Sequence, residues 1–252
     1  MKITDVNGAL GYAKKQLHPG MTPEELIRRM DLSGVDESVA FLHLAQRQLR
    51  SGNEELRQIA EASNGRIKAC YILHPRLDGV QMPKAPDLLE WLRRDRPAAV
   101  TIRPADHGYP MTDLYCGELL EVLQELRMPL LLSNSAKVFP EFDTRIPALA
   151  AEFTELPIVV SVNTYTTCMF NYICMKNTEN ILLGVGGMEA FSELDHLVNT
   201  YGSHRFVLSS TAGCLAAGAL GLVYMGRFSQ TDKEAILGGN WQRIQEGIQW
   251  ES

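Results

Sequence analysis

At 252 residues the chain is long enough to bury about three quarters of the surface it exposes when unfolded, so its core needs no staples. A formal charge of −6, with 45% hydrophobic and 21% charged residues, argues against an electrostatically driven nucleic-acid binder and against wholesale disorder. The longest apolar stretch, Cys214 to Met225, is broken by glycines and too short to span a bilayer. Met1-Lys2-Ile3-Thr4-Asp5 places an acid where the apolar region of a signal peptide would begin. The five cysteines (Cys70, Cys116, Cys168, Cys174, Cys214) include no CxxC pair, which fits reduced thiols in a cytoplasm. Cys168 and Cys174 match no zinc module and are expected to pack on a helix.

Short aliphatic or β-branched runs recur from end to end. The first four are Ile3–Val6, Ser38–Leu42, Ile67–Leu73 and Ala99–Ile102, and the last four are Pro129–Leu132, Ile158–Val162, Ile181–Leu183 and Phe206–Leu208. They start about 23 to 35 residues apart, the spacing of a strand–helix unit rather than a hairpin. Helical patterns lie between them. Thr22-Pro23-Glu24-Glu25 reads as a capping box with proline at the first helical position, followed by Leu26, Ile27 and Met30 on one face. Leu119, Val122, Leu123 and Leu126 form a second stripe. Thr231-Asp232-Lys233-Glu234 reads as another box, with Gly238-Gly239 expected to stop its helix and Asn240 to cap a last one.

Eight such alternations in this length predict an α/β protein, a single (β/α)8 TIM barrel occupying residues 1–252 as one domain. The runner-up, a doubly wound open sheet, would carry a GxGxxG loop after its first strand, where Val6-Asn7-Gly8-Ala9-Leu10-Gly11 stands instead. In a barrel, chemistry sits on inward-facing residues at the C-terminal ends of strands. Strand alternation pairs Asp5 with Asn7, Thr101 with Arg103, Leu131 with Ser133, Ser161 with Asn163 and Ser209 with Thr211. The second strand ends at His43 and the third at His74-Pro75. The barrel top is thus expected to present Asn7, His43, His74, Arg103, Ser133, Asn163 and Thr211, with His107 in the loop after strand four.

Each of these has two readings. Asn7, Asn163 and Thr211 either bind a ligand or satisfy strand-end backbone groups. His43 is either functional or a hydrogen-bonded core residue. Arg103, after an apolar run, needs a partner when buried: either Asp5 or the carboxylate or phosphate of a ligand. Gly184-Val185-Gly186-Gly187 lies where barrels often hold phosphate, though close turns explain glycines equally well. The apolar and aromatic segment Tyr165–Ile173 is either an oligomer face or helix core.

Several segments carry a family resemblance. Leu26-Ile27-Arg28-Arg29-Met30-Asp31-Leu32-Ser33-Gly34-Val35-Asp36 resembles a first helix leading into strand two. Val100 to Tyr109, Gly202 to Ser210, and Glu234-Ala235-Ile236-Leu237-Gly238-Gly239-Asn240 resemble a strand-four loop, the approach to strand eight and a C-terminal signature. In this order and spacing they are similar to the amidohydrolase superfamily, in its amidohydrolase-related branch of aminocarboxymuconate-semialdehyde decarboxylase-like proteins. The resemblance implies a metal-dependent-hydrolase-like barrel with hydrolase or carbon–carbon lyase chemistry. It also has departures. Where the family places a His-x-His pair after an aspartate, this chain has Asn7-Gly8-Ala9 after Asp5-Val6. The family's strand-five histidine matches Ser133, its strand-six histidine falls within Ser161 to Asn163, and its catalytic aspartate matches Thr211. Neutral oxygens are poor zinc ligands beside imidazole and carboxylate, so no metal and no other cofactor is expected.

The leading expectation is a barrel that binds or turns over a small anionic compound through Asn7, His74, Arg103, His107 and Asn163. His43, Ser133 and Thr211 are its catalytic candidates. No GxSxG elbow surrounds Ser133, and Lys137 is off the SxxK spacing, so a nucleophilic mechanism has little local support. The alternatives are a metal-dependent hydrolase or decarboxylase with ligands relocated to His18, His43, His74 and His107, and a non-catalytic subunit. The expected partners are a small anion and a further copy of the chain, with neither nucleic acid nor membrane. His196 and His204 are expected to lie away from the site.

Overall fold

The computed structural model describes residues 1–11, 21–80, 82–133, 142–161, 168–188, 192–210 and 216–251. Eight strands lie in chain order in one sheet: β1 (Thr4–Leu10), β2 (Glu37–Leu42), β3 (Ile67–Leu73), β4 (Ala99–Ile102), β5 (Leu130–Ser133), β6 (Ile158–Ser161), β7 (Ile181–Gly184) and β8 (Phe206–Val207). Every neighbouring pair from β1 to β8 is parallel. The seam closes where the Val6 amide donates to the Leu208 carbonyl at 3.0 Å. This is the (β/α)8 barrel that the eight runs predict. The strands are aliphatic and almost wholly buried because barrel interior covers one face and helices cover the other.

The outer ring comprises α1 (Pro23–Ser33), α2 (Leu49–Ala62), α3 (Ala85–Asp95), α4 (Pro104–His107), α5 (Asp113–Glu125), α6 (Phe142–Glu152), α7 (Cys168–Asn177) and α8 (Glu193–Tyr201). After β8 come α9 (Ala217–Met225), α10 (Gln230–Glu234) and α11 (Asn240–Glu246). At the start of α1 the Thr22 hydroxyl accepts from the Glu25 amide at 3.2 Å, and Leu26 and Met30 face the core. The Glu25 carboxylate turns instead to Arg28 and Arg29, so only half of the capping box forms. None of the described helices is long and apolar enough to cross a membrane.

Three local expectations are corrected. The first strand does not end at Val6. It runs to Leu10, because Ala9 and Leu10 are apolar and pair with Phe41 and Leu42, and a register shift between Asp5 and Gly8 absorbs Asn7. The last capping box is built on Ser229 rather than Thr231, with the Ser229 hydroxyl accepting from the Asp232 amide and the Asp232 carboxylate accepting from the Ser229 amide, both at 3.1 Å.

Gly238-Gly239 does not stop the helix either. Ala235–Gly239 forms a π-helical turn that runs on into α11, and Asn240 donates its side-chain amide to the Ser203 and Phe206 carbonyls instead of capping. The glycine at 238 serves a close approach: a Cβ there would lie 2.0 Å from the Lys2 carbonyl oxygen. The wide turn also lets the Ile236 carbonyl accept from the Leu208 amide at 2.9 Å, joining the C-terminal helices to the barrel beside its seam.

Gly238→Ala should therefore cost about 1–3 kcal/mol in urea unfolding through overpacking. Gly218→Ala in α9, where a Cβ meets nothing within 4 Å, should be neutral or stabilising by up to about 1 kcal/mol.

Candidate functional site

The barrel top opens into about 260 Å³ of non-atom space, part of it open to solvent. Val39, Phe41, Cys70, Thr101, Arg103, Leu131 and Ser161 are among its lining residues, and Val6, Asn7 and Gly8 line it from β1. Alternate residues of β2 and β4 face this space, as strand periodicity requires. The expected pairing of Thr101 with Arg103 is present.

Arg103 follows β4, and its guanidinium lies 4.0 Å from the centroid of the Phe41 ring, a cation–π contact. Desolvation lowers the guanidinium pKa below its ordinary value, against the pull of Cys70, Asp106 and Tyr109. The same desolvation pushes the Cys70 thiol up to about 12, so it is a packing group rather than a nucleophile at neutral pH.

Asp5 is not the structural partner that Arg103 might have had. Its carboxylate accepts from the Ser210 amide at 2.7 Å, the Ser210 hydroxyl at 2.5 Å and the Asn7 amide at 3.1 Å. Burial raises the Asp5 pKa, and these bonds oppose the rise. Asn7 spans the seam, donating its side-chain amide to the Ser210 carbonyl at 2.7 Å. It does line the opening, but from within the irregular part of β1 rather than from a strand end.

Three histidines surround Arg103 and Phe41. His43 begins a 3-10 turn, His43–Gln46, its ring edge-on to Phe41 at 4.9 Å between centroids. Desolvation and then Arg103 lower its pKa. His74 and His107 lie 5.2 Å apart by ring centroids, and Tyr109 meets His74 edge-on at 5.0 Å. Gly108, with φ of 72°, ends α4 in the left-handed region and so brings Tyr109 back over His74. The His74 pKa is lowered by desolvation, then by His107 and Arg76, against Asp78. The Nε2 of His107 lies 2.7 Å from the Gln46 carbonyl, tying the loop after β4 to the turn after β2.

Of the sequence candidates, His43, His74, Arg103 and His107 come together on one side of the opening and Asn7 lies on its rim. Ser133 ends β5 in register with Ser161. Asn163, Thr211, His18 and Lys137 lie outside the described residues. Phe41, Gln46, Cys70 and Tyr109 were missed, although extending the alternation back from His43 and His74 reaches Phe41 and Cys70. His196 bonds the Tyr172 hydroxyl at 2.7 Å, and His204 lies in the 3-10 turn before β8; neither belongs to the cluster. In α7, Phe170, Asn171, Cys174 and Met175 are buried while Met169 and Tyr172 are exposed, so the segment is partly helix core.

The glycines after β7 are explained by contact. A Cβ at Gly184 would lie 2.6 Å from the Ser209 Cβ, one at Gly186 would lie 1.8 Å from the Ser209 carbonyl oxygen, and Gly187 has φ of 84°. They let β7 approach β8, which favours the close-turn reading. Among the described residues, no group of three or more His, Cys, Asp and Glu side chains is placed to hold a metal ion.

No protein-family model matches the chain, and no curated protein matches it. Solved structures do. One is 5-carboxyvanillate decarboxylase from Novosphingobium aromaticivorans, complexed with manganese and 4-hydroxy-3-methoxy-5-nitrobenzoic acid. It has 12% identity over 97% of this chain and 96% of that chain, with a TM-score of 0.75. Another is 2,6-dihydroxybenzoate decarboxylase from Rhizobium, with 13% identity over 97% and 98% and a TM-score of 0.71. A third is 4-oxalomesaconate hydratase from Rhodopseudomonas palustris, with 14% identity over 97% and 96% and a TM-score of 0.68. The likeness is one of fold. It agrees with the resemblance to the amidohydrolase-related branch read from the sequence.

The lowered pKa values of His43 and His74 give a pH signature. In the unfolded chain both titrate near 6.5, so below that pH the unfolded state binds more protons than the native one. Unfolding free energy should fall as pH drops through 6.5 towards the native pKa values. His43→Gln should make that fall shallower in urea titrations between pH 7 and 5; an unchanged slope would refute the assigned burial.

Proposed function

We propose that this barrel binds a small organic anion, a carboxylate or a phosphate ester, at Arg103 and the surrounding imidazoles, without a metal ion of the usual kind. The observation that carries this reading is Arg103 itself. A partly desolvated guanidinium faces an opening in which Asn7, Thr101 and Ser161 are polar neighbours and no lining residue is acidic. Asp106 acts on Arg103 from α4, a solvent-exposed position, and leaves the net local field positive. A carboxylate matches the guanidinium fork in shape and charge, and burial strengthens such a bond. The two decarboxylases of like fold act, by their names, on aromatic carboxylates, which places a benzoate-sized anion first among the ligands to test.

A divalent ion of the kind bound in one of those structures does not fit the residues present. Asn7 and Ala9 supply no imidazole, the Ser161 hydroxyl is bonded to that of Ser209 at 2.7 Å, and Asp5 is saturated by Ser210 and Asn7. The proximity of His74 and His107 is the one observation in favour of relocated ligands. It is weakened by their outer contacts. The Arg76 amide donates to Nδ1 of His74 at 3.0 Å, whereas a histidine that ligates through Nε2 needs a proton on Nδ1.

Calorimetry with benzoate and with inorganic phosphate should show saturable binding to the wild-type protein. Arg103→Gln and Arg103→Lys should each weaken it on the order of 10-fold or more, because lysine offers no bidentate fork. Elemental analysis of protein purified without chelator should find well under one equivalent of zinc or manganese. Stoichiometric metal, or binding indifferent to Arg103, would overturn the proposal.

A further inference from the structure

His74 and His107 have opposite hydrogen-bonding polarity, and the backbone sets it. The Arg76 amide donates to Nδ1 of His74 at 3.0 Å, so the neutral ring carries its proton on Nε2 and offers a donor there. The Gln46 carbonyl accepts from Nε2 of His107 at 2.7 Å, so the neutral ring carries its proton on Nε2 and keeps a bare lone pair on Nδ1. That Nδ1 is buried and has no hydrogen-bond partner among the described residues, a costly state for an acceptor. The rings lie 5.2 Å apart by centroids and tilted by 45°, a span that one oxygen can bridge with a hydrogen bond to each ring. Tyr109, itself 9% exposed, packs edge-on against His74 and limits the ring's freedom to turn.

We infer that His74 and His107 form a hydroxyl-selecting pair: a ligand hydroxyl accepts from Nε2 of His74 and donates to Nδ1 of His107. This rests on the anion reading and sharpens it, since a ligand held by Arg103 through its carboxylate would carry a hydroxyl towards the imidazoles. An ether oxygen accepts but cannot donate, so it satisfies His74 and leaves His107 unpaired. A second acidic group would satisfy His74 alone and repel the lone pair of His107. The pair therefore selects a hydroxylated carboxylate over its methyl ether and over the unsubstituted acid. Sites built around a hydrogen-bonded hydroxyl discriminate strongly against analogues that lack it, because the protein groups are then left unpaired.

The test is calorimetry on the full chain with benzoate and the 2-, 3- and 4-hydroxybenzoates, each set against its methoxybenzoate. At least one hydroxybenzoate should bind about 10-fold tighter than both its methoxy counterpart and benzoate. His107→Gln keeps an N–H for the Gln46 carbonyl and removes the lone pair. His74→Asn keeps an acceptor for the Arg76 amide and removes the donor. In both variants the hydroxy-to-methoxy ratio should collapse to within threefold, a readout that general loosening of the loops would not move. Arg103-dependent binding of carboxylates with no hydroxyl advantage at any ring position, or an advantage that survives both substitutions, overturns this inference and leaves the anion reading standing. Absence of binding by every probe overturns both.

Discussion

The bond between Asp5 and Ser210 is the constraint on which the barrel top depends. An eight-stranded sheet in chain order becomes a barrel only if its last strand meets its first, and β8 here is two residues long. The backbone contributes the Val6–Leu208 bond, while beyond β8 the chain is held by the Asp5 carboxylate accepting from both the amide and the hydroxyl of Ser210. Bonds to an ionised acceptor are worth more than neutral ones, and burial strengthens them further. Asn7 secures the same residue from its other side by donating to the Ser210 carbonyl. The polar groups at the centre of the barrel thus serve closure, and what remains for a ligand lies off-centre, over β2, β3 and β4.

That displacement organises the electrostatics. Arg103 lies away from Asp5 and against Phe41, so its charge is moderated by a ring quadrupole and by Asp106 in the following turn. A desolvated cation without a fully buried carboxylate beside it is an unfavourable resting state, which an entering anion relieves. The lowered pKa values of His43 and His74 follow from burial and neighbouring positive charge. Neutral imidazoles can offer lone pairs as well as protons, which gives the same pocket hydrogen-bond selectivity that a uniformly cationic one would lack.

The fold was legible in the sequence because eight aliphatic runs at strand–helix spacing leave few topologies, and each run proved to be a strand. What failed to read through were features that depend on distant chain. Gly238 looks like a helix stop until the Lys2 carbonyl is seen beside it. Asn240 looks like a cap until it meets the Ser203 and Phe206 carbonyls. Val6 looks like the end of a strand because Asn7-Gly8 resembles a turn, and only the pairing of Ala9 and Leu10 with β2 carries β1 onward. In the site, alternation placed Thr101 with Arg103 and strand ends placed His43 and His74, since both rules are local. The roles of Gln46 and Tyr109 come from contacts between loops, which periodicity does not encode.

Fold likeness at 12 to 14% identity leaves the chemistry of the site to the residues themselves. In this chain the backbone does much of that work. The Arg76 amide and the Gln46 carbonyl choose which nitrogen of His74 and of His107 bears the proton, and neither contact depends on the identity of the side chain that supplies it. The polarity of the pair is therefore set by the course of the loops after β2, β3 and β4. Substituting Arg76 or Gln46 would alter it less than moving their backbone. The specificity of the pocket is a property of loop geometry held in place by the barrel, and the imidazoles are the means by which a ligand reads it.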